Sequence, residues 1–93
     1  MIIGIVQFRM HFPGAGSLKG KRKILKSLKD RLKNKFNVSV AELEGHDLWQ
    51  SGTVGVAIIS NDKKFANSVL SKVSDLVYGQ PEIVVTDIQM EWR

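Results

Sequence analysis

Three groups of residues in this 93-residue chain have types and spacings that could do chemistry. The run Gly14-Ala15-Gly16-Ser17-Leu18-Lys19-Gly20-Lys21 has the glycine and lysine content of a loop that cradles phosphate. Glu42, Glu44, His46 and Asp47 bring acid, base and metal-ligand types into one short stretch. The third group is cationic: nine of the 14 Lys and Arg (Lys19, Lys21, Arg22, Lys23, Lys26, Lys29, Arg31, Lys33 and Lys35) fall between residues 17 and 36, where Asp30 is the one acid. Like charges at i,i+4, such as Arg22 with Lys26 or Lys29 with Lys33, each oppose a helix by roughly a few tenths of a kcal/mol, so something must offset them.

The nucleotide motifs fail on inspection. GxxxxGK[ST] requires glycine where Ala15 stands and Ser or Thr where Arg22 stands, and GxGxxG meets Lys19 in place of its third glycine. What survives is general: backbone N–H groups at a helix N-terminus near Gly16 and Ser17, flanked by Lys19, Lys21 and Arg22, form an anion-binding loop of low specificity. A turn with a capping serine explains the same residues equally well. One histidine among carboxylates matches no metal-ligand spacing, and a polar loop end accounts for residues 42–47 more simply. With no cysteine there is no disulfide framework and no thiolate. His11 is distant in sequence and no serine motif accompanies it, so no catalytic residue, metal or cofactor is expected, and the chain is not expected to be an enzyme.

The elements that must position these groups are legible from periodicity. Residues 2–12 alternate, with Ile2, Gly4, Val6, Phe8, Met10 and Phe12 on one face and Ile3, Ile5, Gln7, Arg9 and His11 on the other, which predicts a strand. The same N-terminal apolar run lacks the basic flank of a signal peptide. Pro13, Gly14 and Gly16 break the strand, and Ser17 caps a helix whose Leu18, Leu25, Leu28, Leu32 and Phe36 form an apolar stripe, ending at Asn34 or Asn37. Lys19, Arg22, Lys23, Lys26, Lys29 and Lys33 lie on one flank of that helix, and Lys21 lies on the stripe side in its first turn. Val38–Glu44 and Thr53–Ser60 read as strands, the latter the most buried. Trp49, in the loop between them, reads as a packing anchor rather than a stacking platform, although an aromatic near a basic surface could stack on a base.

Asn61 and Asp62 can cap a second helix, with Phe65, Val69, Leu70, Val73, Leu76 and Val77 inward, until Gly79 and Pro81 stop it. Ile83–Trp92 is the fourth strand, with Val84, Thr86, Ile88, Met90 and Trp92 on one face. The order βαββαβ, with a right-handed crossover in each half, predicts an α+β ferredoxin-like sandwich: one domain over residues 1–93, a four-stranded antiparallel sheet and two helices on one face. Ile3, Ile5, Ala57, Ile59, Ile83 and Val85 would then lie on the open sheet face, where a second copy of the chain is the expected cover.

Two comparisons test an enzyme or a sheet-based reader on this topology. GIVQFR resembles the first-strand segment of acylphosphatases, but Leu48 stands where that family needs asparagine before Gly52-Thr53-Val54, and Gln7 and Phe8 are contiguous where it places a glycine. RNA-recognition modules read bases with aromatics on the sheet, and TVGVAIIS has none.

The segments HFPGAGSLKGKRKILKSLKDRLKNKFNVSVAE, DLWQ and GVAIISND closely resemble the YlxP-like family, a domain of unknown function, over nearly the whole chain. The resemblance implies a ferredoxin-like fold in a bacterial cytoplasmic protein, often encoded near translation-initiation and ribosome-maturation factors, with no established activity. The family usually has glutamate where this chain has Gly20, so the capping box is incomplete and the helix start is more positive.

The resulting expectation is a cytoplasmic RNA-binding accessory factor, with ribosomal RNA as its candidate target, that lays Lys19, Lys21, Arg22, Lys23, Lys26, Lys29 and Lys33 along phosphates. The alternative is an interaction or structural module whose basic flank meets acids of a partner protein or is simply solvated. No membrane partner is expected, because the helix needs its apolar stripe for the core.

Overall fold

The computed structural model describes residues 1–93. Its elements are β1 (Ile2–His11), α1 (Leu18–Lys35), β2 (Ser39–Glu44), β3 (Ser51–Ser60), α2 (Lys63–Tyr78) and β4 (Val84–Trp92). The four strands form one sheet in the order β2-β3-β1-β4, with every neighbouring pair antiparallel. This is the ferredoxin-like sandwich that the order of elements predicts, with α1 packed over β2 and α2 over β1 and β3.

Each helix begins where its sequence says it should. Ser17 is extended and its Oγ accepts the Gly20 N–H at 3.0 Å, while Asp62 Oδ1 accepts the N–H groups of Lys64 and Phe65. Helix α1 runs past Asn34 and ends at Phe36, whose N–H bonds the Leu32 carbonyl. Capping stabilises such starts by about 1 kcal/mol, but most of the helix stability comes from the face that packs.

The core lies between the helices and one sheet face. Val6, Phe8, Met10 and Phe12 from β1 and its exit, and Val54, Val56 and Ile58 from β3, meet Leu25, Leu28 and Leu32 of α1 and Ala66, Leu70, Val73 and Val77 of α2. The α2 stripe thus starts at Ala66, and Phe65, expected inward, is exposed. An 18- or 16-residue amphipathic helix has room for one such row, and the row at 66, 70, 73 and 77 leaves Phe65 one position off it. At Gly4 a side chain has no room, since an added Cβ would stand 2.7 Å from the Trp92 ring and 2.8 Å from Leu70 Cδ1.

The fourth strand differs from its predicted alternation. Its pairing with β1 shifts register between Arg9 and Met10, so that Arg9 faces Asp87 while Met10 faces Val85. This bulge at Thr86, whose Oγ1 donates to the Arg9 carbonyl at 3.2 Å, inverts the faces on either side of it. Ile83 is therefore buried in the core and Val85 packs against it, rather than both lying on the open face, while Val84 turns outward opposite His11.

Candidate nucleic-acid interface

The helix wheel separates the cations of α1 into two kinds. Lys19, Arg22, Lys23, Lys26 and Lys33 are exposed and Lys29 is half-buried, all on one flank of the helix. The other side carries Arg31, whose Nη1 donates to Gln80 Oε1 just beyond α2 at 2.8 Å. The basic flank accordingly faces away from α2, above the free edge of β2, which is the outermost strand on that side of the sheet.

Within the flank only Lys26 has an acid partner, Asp30 Oδ2 at 2.8 Å. That hydrogen bond holds the Asp30 carboxyl below the usual carboxylate range, helped by the charges of Lys26, Lys33 and Lys29, and it raises the Lys26 ammonium in turn. Both groups are open to water, so the pair contributes little to stability. No carboxylate of the chain lies within ion-pair distance of Lys19, Arg22, Lys23, Lys29 or Lys33. The cations off the flank are engaged by the fold: Arg31 by Gln80, Lys35 with its Nζ 5.8 Å from the centre of the Phe36 ring, and Lys21 in the interior.

Lys21, grouped by sequence with the cations expected to meet RNA, is not part of that surface. Only 1% of it is accessible. It occupies the apolar row with Leu25, Leu28 and Leu32, and its Nζ donates to the carbonyls of Gly45 and Leu48, each at 2.5 Å, with Glu42 Oε2 at 3.1 Å and the Phe12 ring centre at 5.9 Å. Glu42 Oε2 is in ion-pair contact but accepts no aligned hydrogen bond. A buried cation needs such partners to offset its lost hydration. The signal was present in the sequence: position 21 continues the helical row, and Val38, Val40 and Glu42 continue the inward side of β2.

The same contacts order the loop between β2 and β3. Gly45 has φ +83°, a left-handed turn that glycine adopts without strain, and the Leu48 N–H returns to its carbonyl at 2.9 Å. The Phe12 N–H bonds the Gln50 carbonyl at 2.8 Å, tying the other end of the loop to the exit of β1. Trp49, expected as a packing anchor, sits on this loop with 46% of its surface exposed, beside Leu48 at 55%. Neither its neighbours in sequence nor any period foretold that exposure.

Gly16 and Ser17 take a different role from the cations. Ser17 Oγ is committed to the helix cap, and added Cβ atoms at Gly14 and Gly16 would meet nothing, so the loop is not closed around a ligand. It borders an open groove with Gly20, Lys23, Ile24, Ser27 and Glu82, a carboxylate on the same wall. Of the acidic stretch, His46 Nε2 comes to 3.9 Å from Glu42 Oε1, and no three His, Asp or Glu side chains gather there.

On the open sheet face, Ile3, Ile5, Ala57 and Ile59 lie where expected, joined by Leu43, which covers Gly55. Together with Ser39, Ala41, Val40 and Val56, the residues Ile5, Leu43, Gly55 and Ala57 line a shallow apolar depression of about 210 Å³. Towards β4 the face turns polar, with Gln7, Arg9, Asp87, Gln89 and Glu91. No helix is long and apolar enough to cross a membrane.

Comparison with known proteins agrees with this architecture. The designed protein Foldit4 aligns over 100% of this chain and 97% of its own at 9% identity and TM-score 0.54. A designed protein described as having the ferredoxin fold aligns over 100% and 86%, at 14% identity and TM-score 0.55. These likenesses concern the fold alone. In sequence, the chain is 36% identical over 91 residues to the "Uncharacterized protein YlxP" of Bacillus subtilis (strain 168), covering 98% of this chain and 99% of that one. Residues 3–90 match the family described as "Protein of unknown function (DUF503)". By sequence, the chain belongs to the DUF503 family.

Proposed function

We propose that this protein binds RNA through the exposed basic flank of α1, as a cytoplasmic accessory factor of translation or ribosome maturation, and that it acts by binding rather than catalysis. The observation that carries this reading is the division among the cations of α1. Off the flank, Lys21 is buried among acceptors of the chain itself and Arg31 is bonded to Gln80, whereas Lys19, Arg22, Lys23, Lys29 and Lys33 stand together with no carboxylate at ion-pair distance. Clustered cations release condensed counterions when they meet a polyanion, which gives affinity that is strongly salt-dependent and largely independent of sequence. The same cations repel one another in the free protein, so neutralisation by phosphates relieves a cost that the fold otherwise carries. The family resemblance, through its genomic setting near translation factors, favours an RNA of the translation apparatus.

The test is charge reversal at Lys23 and Lys26 together, followed by RNA affinity across a salt titration. The double variant is expected to bind far more weakly and to lose about 1.4 to 1.8 units of the slope of log affinity against log salt, from two phosphate contacts at roughly 0.7 each on a single strand or 0.9 on a duplex. Its thermal midpoint is expected to stay nearly unchanged, because both side chains are exposed. Unaltered binding would remove this reading and leave a protein partner with an acidic surface as the occupant of the flank.

A further inference from the structure

The exposed aromatic side chains of the molecule are Trp49, Phe65 and Tyr78. Phe65 and Tyr78 belong to α2, on the far side of α1 from the basic flank. Trp49 is different, because its loop is fastened to α1. Lys21, in the first turn of the helix and adjacent to Arg22, reaches the Leu48 carbonyl with its Nζ. The backbone next to Trp49 is thus held within one lysine side chain of the start of the basic flank. Gly45, Leu48 and Gln50 are all fixed by hydrogen bonds, yet the two largest apolar side chains of the loop point to water. A buried cation here orders the backbone of a loop that contributes almost nothing to the core, and a side chain on an ordered backbone has less freedom to lose when it packs against a ligand.

We infer that the RNA bound by the basic flank is single-stranded, and that Trp49 stacks on one unpaired base while the cations at the start of α1, Lys19, Arg22 and Lys23, hold the neighbouring phosphates. This rests on the RNA-binding reading above and narrows its ligand. A duplex keeps its bases stacked on one another and offers the indole nothing but an end, whereas a single strand presents a base face beside each phosphate. The open sheet face has no Phe, Tyr or Trp to do this, since the strands there present Ile3, Ile5, Gln7, Arg9 and His11 opposite Ile59, Ala57, Gly55, Thr53 and Ser51.

The experiment compares Trp49→Ala, Trp49→Phe and the Lys23→Glu/Lys26→Glu double variant for binding to a short oligouridylate and to an RNA duplex of similar charge. Trp49→Ala is expected to lose about tenfold to a hundredfold in affinity for the oligouridylate, the range stacking of one base supplies. Its duplex binding and thermal midpoint are expected to hold, with Trp49→Phe recovering much of the loss. Full oligouridylate affinity in Trp49→Ala, with binding lost in the double variant, overturns the stacking inference and leaves RNA binding standing. Equal weakening on both RNAs also overturns it, since Trp49 would then act through the shape of the loop. Wild-type protein that holds neither RNA removes both readings, and a protein ligand lost on Trp49→Ala while RNA binding is intact would assign the loop to that partner instead.

Discussion

Lys21 Nζ lies 3.1 Å from Glu42 Oε2 and spans the core boundary to bond the carbonyls of Gly45 and Leu48, so one side chain joins helix α1, strand β2 and the loop that bears Trp49. Lys21→Met is expected to destabilise the chain by about 3 kcal/mol, the lower end of the cost of breaking a buried pair, because Glu42 keeps 15% of its exposure to water. Urea unfolding of Lys21→Met, Glu42→Leu and the double variant checks this. The double variant should recover part of the loss, since it no longer strands a carboxylate. Additive losses would mean that the carbonyl contacts, not the ion pair, hold the loop.

Asp30 is the acid that interrupts the basic flank, and its removal separates stability from binding. Asp30→Asn removes the carboxylate that repels phosphates along the flank and is expected to raise RNA affinity. Because the folded-state pKa of Asp30 is lowered and that of Lys26 raised, the small contribution of the pair to helix stability is present at neutral pH. It is lost as pH falls through the lowered Asp30 value, and again as pH rises through the raised Lys26 value. Circular dichroism of wild type against Asp30→Asn should show a helicity difference at neutral pH that closes in acid. A difference that persists in strong acid would exclude the ion pair as its source.

Gly45 tests whether the loop is built or merely allowed. At φ +83°, with an added Cβ 3.0 Å from Gly52 Cα and from the Ser51 carbonyl oxygen, Gly45→Ala is both strained and crowded. The expected cost is about 2 kcal/mol, from the left-handed conformation and the displaced neighbour together. Faster amide exchange at Leu48, whose N–H bonds the Gly45 carbonyl, should accompany it. Unchanged exchange there would show that Lys21 alone is enough to order the loop.

On the open sheet face Ile59 retains 69% of its surface, beside Ile3, Ile5 and the depression under Leu43. A second copy on this patch predicts a dimeric mass by light scattering and a monomeric mass for Ile59→Glu, with monomer stability changed by less than about 0.5 kcal/mol. A wild-type chain that stays monomeric at high concentration would rule out self-association there.

The periodicities of the chain determine most of its architecture. Alternation in β1 and the 25, 28, 32 row of α1 each select one buried face, and short connections with two crossovers leave one compact way to stack them. The basic flank is legible for the same reason, since residues three and four apart must share a side of a helix. Even the burial of Lys21 and Glu42 is implicit in their two positions, although each reads alone as a surface charge. Only tertiary structure pairs them, because residues 21 apart in sequence meet through a helix turn and a strand that must first pack together. It alone inserts the bulge at Thr86 that sends Ile83 and Val85 inward, since a register shift depends on a partner strand 77 residues away. And it alone decides that Trp49 faces water, because an irregular loop has no period to read and its path is set by contacts from Lys21 and Phe12, elements remote in sequence.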